Sequence, residues 1–176
     1  MRAAGPEGME RAMDIRRTRS ADVDALLSIE NTVFATDQMS RRSLVRSVRA
    51  PTMTMLTAVV DGRPIGYALV HRRHGSKVAH LASIAVAPEG AGQGIGHSLL
   101  RRVESDAAAH GAGCVRLEVR SDNSVARHLY ESAGYGVLAV LDDYYEDGTA
   151  AVRYEKRIAR TTRPYRKRSE GAYLRA

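Results

Sequence analysis

Hydrophobic positions along the chain follow two periods, and each change of period marks an element. Alternation over residues 14–18 predicts a short first strand. Ser20 is placed to cap a helix, with Asp22 and Asp24 near its positive end and Val23, Leu26 and Leu27 at helical spacing. A second helix starts at Ser40, turns Leu44, Val45 and Val48 inward, and is stopped by Pro51. Met53–Val60 and residues 64–71 are strands around Asp61-Gly62, a strong hairpin signal. Val78–Val86 is the next strand, ending before Pro88. Ile95, Leu99, Leu100, Val103 and Ala107 then recur on one helical face as far as His110-Gly111, where glycine can take the left-handed cap. Cys114–Arg120 is a strand, Ser124–Ser132 a helix, Gly136–Leu141 a strand and residues 150–157 a last strand. This order implies an α/β domain with a mixed sheet and helices on both faces.

Composition adds limits. A chain of 176 residues suits one domain with one core, and its 44% hydrophobic content is ordinary for a globular protein. The expected layout is a disordered polar lead (residues 1–12), one domain (13–159) and a basic, flexible tail (160–176). No apolar run approaches the roughly 20 residues that span a bilayer, and the lead lacks the apolar middle of a secretory signal, so no membrane partner is expected. The single Cys114 cannot form an internal disulfide, which fits a cytoplasmic location, and no Cys/His cluster has zinc spacing, so no metal is expected. The net charge of +7 is uneven. Residues 160–176 carry six basic side chains against Glu170 alone. Such a tail can attract nucleic acid or ribosomes, but the plainer reading is a solvated, disordered end.

The candidate chemistry begins at the turn after Val86. Gly90, Gly92, Gly94 and Gly96 fall within seven positions, and a helix follows at once. Glycine removes the side chains that would bar a ligand from the backbone, and the first helical N–H groups point out unpaired. The result is an anion cradle suited to phosphate or pyrophosphate. A dinucleotide fingerprint counted from Gly92 needs a sixth-position glycine and meets His97, while a P-loop needs Gly-Lys-Ser/Thr and meets Gly96-His97-Ser98.

Around these residues the sequence resembles the GNAT superfamily of N-acetyltransferases, whose first motif is a strand ending apolar-Ala-Val and then Q/R-x-x-G-x-G/A. Ile84-Ala85-Val86 and Gly94-Ile95-Gly96 match it; the leading Gln or Arg falls on Ala91, and His97 stands where many relatives have a basic residue. Leu117-Glu118-Val119-Arg120 through Asn123, Ala126, Leu129-Tyr130-Glu131 and Gly134-Tyr135 resembles the second motif in the form it has in bacterial ribosomal-protein-alanine and protein N-terminal acetyltransferases. Asp143-Tyr144-Tyr145-Glu146-Asp147-Gly148 is similar to a third block of those enzymes. The resemblance implies a GNAT fold, a mixed, mostly antiparallel sheet of about seven strands covered by about four helices. It implies acetyl-CoA as co-substrate, contacted by Ile84, Ala85, Val86, Gly92, Gln93, Gly94, Ile95, Gly96 and His97, with Asn123 on the pantetheine arm. The missing side chain at position 91 is expected to weaken CoA binding by about 1 kcal/mol, with Arg101 or Arg102 as candidates to compensate.

Acetyl transfer to an amine needs a deprotonated nucleophile, a polarised carbonyl and a protonated leaving thiolate. By match, Glu118 is the general base and Tyr130 the general acid; alternatively Glu118 pairs with a neighbouring arginine and Tyr130 is a core residue. Asn123 can also serve as a helix N-cap. Tyr144 and Tyr145 would line a peptide entrance, with Phe34, Asp37 and Met39 opposite. The histidines show no paired spacing and are expected on the surface or sheet, and Cys114 lacks an evident base, so transfer is expected to be direct. The expected acceptor is the α-amine of a peptide or protein N-terminus. The alternatives are a small amine (amino acid, polyamine or antibiotic) or a non-catalytic nucleic-acid binder using the basic tail. A monomer or homodimer suits all of them.

Overall fold

A computed structural model describes residues 12–159, so most of the polar lead and the whole basic tail lie outside the described residues. The strands are β1 (Met13–Arg17), β2 (Met53–Val60), β3 (Arg63–Arg72), β4 (Val78–Val86), β5 (Cys114–Arg120), β6 (Gly136–Leu141) and β7 (Ala151–Arg157). The helices are α1 (Val23–Val33), α2 (Arg41–Arg49), α3 (Ile95–Ala109) and α4 (Ser124–Ser132). The strands form one sheet in the order β1-β2-β3-β4-β5-β7-β6, antiparallel throughout except for β4 against β5. This is the GNAT α/β fold that the motifs imply.

Local chemistry explains most boundaries. Asp61 and Gly62 both have positive φ (50° and 78°), the backbone of a tight hairpin turn between β2 and β3. Ser40 caps α2, its Oγ accepting the Ser43 N–H. The first helix starts differently from the expectation. Ser20 does not cap it; Ser20–Asp22 form a short 3₁₀ turn before α1. The buried Asp22 carboxylate instead accepts the Arg19 N–H at 2.7 Å and the Arg16 guanidinium at 2.7 and 3.0 Å. The Arg16 hydrogen bond holds the Asp22 carboxyl below the usual range. Asp24 reaches Arg41 on α2.

Two cores sandwich the sheet. On one face Leu56, Ala68, Leu81, Val115, Leu117 and Val152 pack under Leu99, Leu100 and Val103 of α3 and Tyr130 of α4. On the other, Met55, Tyr67, Leu69 and Ala85 pack under Val23, Leu26 and Ile29 of α1 and Leu44 of α2. The feature that makes a site is a break between β4 and β5. They pair only over Val78–Cys114, Ala79–Val115 and His80–Arg116. The rest of β4 is bonded only to β3 and the rest of β5 only to β7. The β3–β4 register slips at Leu69/Val70, leaving Ala82 as an extra residue on β4. A bulge there adds bend and twist just past the last shared pair, so the two parallel strands diverge towards their C-terminal ends.

Candidate active site in the notch between β4 and β5

The glycine turn sits at the open end of this notch, and its glycines divide into two kinds. Gly92 and Gly94 have φ of 72° and 73°, and nothing lies within 4 Å of where a Cβ would be. They leave the backbone of the turn open to its surroundings. Gly94 is the N-cap of α3, and the first helix-closing bond runs from Ser98 N–H to Gly94 O at 3.0 Å, so the N–H groups of Ile95, Gly96 and His97 precede it. Gly90 and Gly96 do different work. A Cβ on Gly90 would lie 2.4 Å from Ile65 Cγ2, and one on Gly96 would lie 3.2 Å from Leu129 of α4. These two let the turn and α3 pack closely on their neighbours.

The side chains of the turn are engaged within the protein. Gln93 Nε2 donates to Glu89 O at 2.8 Å, and the His97 ring is 2.8 Å from Ser132 Oγ on α4. Only their backbones remain for the cradle. Arg102 bonds Ile15 O on β1, which removes it as a substitute for the missing side chain at Ala91, whereas Arg101 stays near the start of α3 on Ser98 Oγ. Ile84 and Val86 pack on the α3/α4 core and Ala85 on the α1/α2 core, so this stretch offers its backbone to the notch. Asn123 caps α4, its Oδ1 accepting Ala126 N–H at 3.0 Å, which leaves its NH₂ group as a donor.

Glu118 lies on the opposite wall. Val115, Leu117 and Val119 enter the α3/α4 core, so Arg116, Glu118 and Arg120 face the α1/α2 side. Glu118 Oε2 is 2.5 Å from His80 Nε2, and Oε1 accepts from Arg153 Nε at 2.7 Å. Burial alone would push this carboxyl up. The hydrogen bonds from His80 and Arg153, reinforced by their charges, hold it below the usual carboxylate value. The arginine pairing considered from sequence is therefore present, with a histidine that the sequence offered no reason to single out. His80 and Glu118 are 38 residues apart, and only the β4–β5 pairing joins them.

Tyr130 of α4 lies in the α3/α4 core, the packing position considered as its alternative from sequence. It is 6% exposed, and its ring packs 6.0 Å from those of Tyr135 and Tyr154. Burial, with Tyr145 nearby, raises its pKa, so the phenol carries its proton at any working pH. Tyr144 and Tyr145 meet edge to face at 5.1 Å, and Arg120 lies 5.0 Å over the Tyr145 ring. Arg120 is fixed in turn by Asp147 at 2.7 Å and Thr149 at 2.8 Å. The Tyr145 phenol is raised by burial and by Tyr144, while Glu118 and Asp37 also act on it electrostatically against Arg120. Phe34 and Met39 are half-buried against the α1/α2 core, and Asp37 is exposed with φ 56° between them.

A buried chain of hydrogen bonds beneath this loop was not foreseen. Glu30, 2% exposed, accepts Met39 N–H at 2.7 Å and the Tyr67 hydroxyl, which also bonds Ser83 Oγ at 3.0 Å. It ties the segment after α1 to β4 beside the bulge. Cys114 is half-buried, and burial together with Glu155 raises its thiol pKa, which disfavours a thiolate nucleophile.

Comparison with known proteins agrees with this geometry. The acetyltransferase (GNAT) family profile matches residues 21–135. An uncharacterised N-acetyltransferase of Methanocaldococcus jannaschii is 37% identical over 142 residues, covering 80% of this chain and 88% of that protein. An N-alpha-acetyltransferase of Sulfurisphaera tokodaii is 31% identical over 148 residues, covering 78% and 88%. Among solved structures, the ribosomal-protein-S18-alanine N-acetyltransferase of Escherichia coli superposes with a TM-score of 0.75 at 25% identity, covering 84% of this chain and 95% of that one. With the family profile spanning the turn, the notch and both of its walls, this chain belongs to the GNAT family of acetyltransferases.

Proposed function

We propose that the chain transfers an acetyl group from acetyl-CoA to the α-amine of a peptide or protein N-terminus. The observation that supports this reading is Glu118, held by His80 and Arg153 on the β5 wall of the β4–β5 notch, with the Gly92–Gly94 turn at the notch's end. The residues fit acetyl-CoA: positive-φ glycines with open space beside them, three helix-start N–H groups for a pyrophosphate, and an unpaired β4 edge beside the notch. Acetyl-CoA supplies the activated acetyl group. Glu118 takes the amine proton, directly or through a water molecule. His80 and Arg153 orient its carboxylate, and the Tyr130 hydroxyl donates a proton to the departing sulfur.

Magnitudes favour an α-amine. A carboxylate held low by hydrogen bonds from His80 and Arg153 is a weak base. An α-ammonium near pKa 8 needs little help at neutral pH, while a lysine near 10.4 costs about 3 kcal/mol more to deprotonate. The paired tyrosines and Asp37 suit an extended peptide whose first group is a cation.

The test is a panel of peptides with free α-amines, the same peptides N-blocked but containing lysine, and small amines including a polyamine, an amino acid and an aminoglycoside. CoA release gives the rate, and mass spectrometry locates the acetyl group. Acetylation of the free α-amines is expected. Turnover of a small amine with no peptide activity overturns the reading.

A further inference from the structure

Charge is segregated along the strands. The end that holds the glycine turn also carries the hairpin tip Asp61 and the β6–β7 connection with Asp142, Asp143, Glu146 and Asp147. The other end is built where β2 begins, β3 turns into β4 and β7 finishes. Arg72 N–H bonds Thr52 O at 2.7 Å, Gly113 N–H bonds Lys77 O at 2.7 Å, and Ile158 N–H bonds Gly113 O at 3.0 Å, so these segments form one surface. That surface presents Arg46 and Arg49 from α2, Arg73 and Lys77 from the β3–β4 hairpin, and Arg157 from β7, all exposed. None of the five makes a salt bridge among the described residues.

The carboxylates that could neutralise them are committed elsewhere. Asp22 is held by Arg16, Asp24 by Arg41, and Asp106 by Arg17 and His110. A cleft of about 530 Å³, lined by Arg17, Ala50, Pro51, Arg72 and His110 among others, opens on this end. Arg157 ends β7 at this surface.

We propose that this basic pole binds the phosphate backbone of nucleic acid. Exposed cations without intramolecular partners attract an external polyanion, and a phosphate backbone needs only spaced cations, whose binding releases counterions. A protein partner would need apolar or aromatic anchors at the centre of its contact. Among the described residues the large exposed hydrophobic side chains are Met13, Val33, Val125, Val137, Leu138, Val140 and Tyr144, and none belongs to the segments that build this pole. The glycine turn lies at the other end of the sheet, so the two sites can be filled together.

The experiment is fluorescence anisotropy of a labelled 20-nucleotide RNA of mixed sequence with the full chain, from 50 to 300 mM KCl. Binding is expected to weaken steeply with salt. The Arg49→Ala/Arg73→Ala/Lys77→Ala variant should lower the log–log salt slope by about 2 and bind roughly 10- to 100-fold more weakly at 100 mM. Its acetyl-CoA turnover and circular dichroism should stay unchanged, since none of the three positions lies in the notch or the core. An unchanged slope in that variant, or RNA binding that ignores salt, overturns the proposal. So does displacement of the RNA by poly-glutamate at equal charge concentration, which would assign the pole to an acidic protein.

Discussion

Replacing Glu118 by Gln keeps the shape of the side chain and removes its charge. In the wild type the carboxylate sits between His80 at 2.5 Å and Arg153 at 2.7 Å. Two effects follow from losing it. The amine loses its proton acceptor, which costs about 10²- to 10⁴-fold in kcat, or roughly 3–5 kcal/mol in the barrier. Arg153 also loses an ionic hydrogen bond worth more than the neutral one that replaces it, so stability falls by about 1–2 kcal/mol. The two are separable by pH. The Glu118 carboxyl is depressed in the fold, so its contribution to stability is present above its unfolded value, about 4.3, and is lost as pH falls through its folded value. Thermal unfolding should therefore separate the two proteins near pH 7 and bring them together in acid. CoA release at saturating acceptor, from pH 6 to 9, should show the large kcat loss at every pH, because the wild-type carboxylate is ionised over that whole range. The remaining limb of kcat/KM should move with the pKa of the acceptor amine. Full kcat in the Gln variant across this range would refute the assignment of Glu118 as the base, whatever its effect on stability.

The other expectations concern the turn, the acid and the buried chain. Tyr130→Phe should lower kcat by about 10²-fold or more with little change in Tm, since its hydroxyl makes no hydrogen bond among the described residues; an unchanged kcat assigns this ring to packing alone. Gly90→Ala drives a methyl group to 2.4 Å from Ile65 and 2.9 Å from Ile95, so thermal melts should show a loss of about 1–3 kcal/mol. Gly94→Ala meets no neighbour but is strained at φ 73°, by about 1–2 kcal/mol, and should weaken acetyl-CoA binding by calorimetry; equal effects of the two substitutions on binding contradict the division of labour between these glycines. Tyr67→Phe removes the hydroxyl that joins Glu30 to Ser83, and should raise KM for the peptide more than KM for acetyl-CoA in steady-state kinetics. A purely structural role for Tyr67 would move both constants alike.

Much of this architecture follows from neighbours in the chain. Val78–Val86, Cys114–Arg120, Ser124–Ser132 and Gly136–Leu141 occupy the spans that their periodicity predicts, because alternation and helical spacing depend on residues within a few positions of one another. The Asp61-Gly62 hairpin and the Gly111 helix end are equally local, set by backbone angles that few residues adopt. Ser20 shows the limit of such reasoning. It has the right side chain for a cap, but Arg16, six residues before Asp22, recruits the carboxylate that organises that corner. The glycine turn shows it again. Four glycines in seven positions announce a close approach of backbone, but only packing against Ile65 and Leu129 tells which pair faces open space and which pair faces protein.

The sequence by itself therefore determined the elements, the family motifs and the residue types that acetyl transfer requires. Tertiary structure decided which of those residues meet. The parallel pairing of β4 and β5 stops after three residue pairs, and the bulge at Ala82 lies just beyond it; on that pairing depends the union of His80 with Glu118, and on its end the notch. The physical reason is range. Periodicity is written between adjacent turns or alternate residues, whereas the notch depends on the register of strands 38 residues apart, which is fixed only when whole faces bury their apolar positions together.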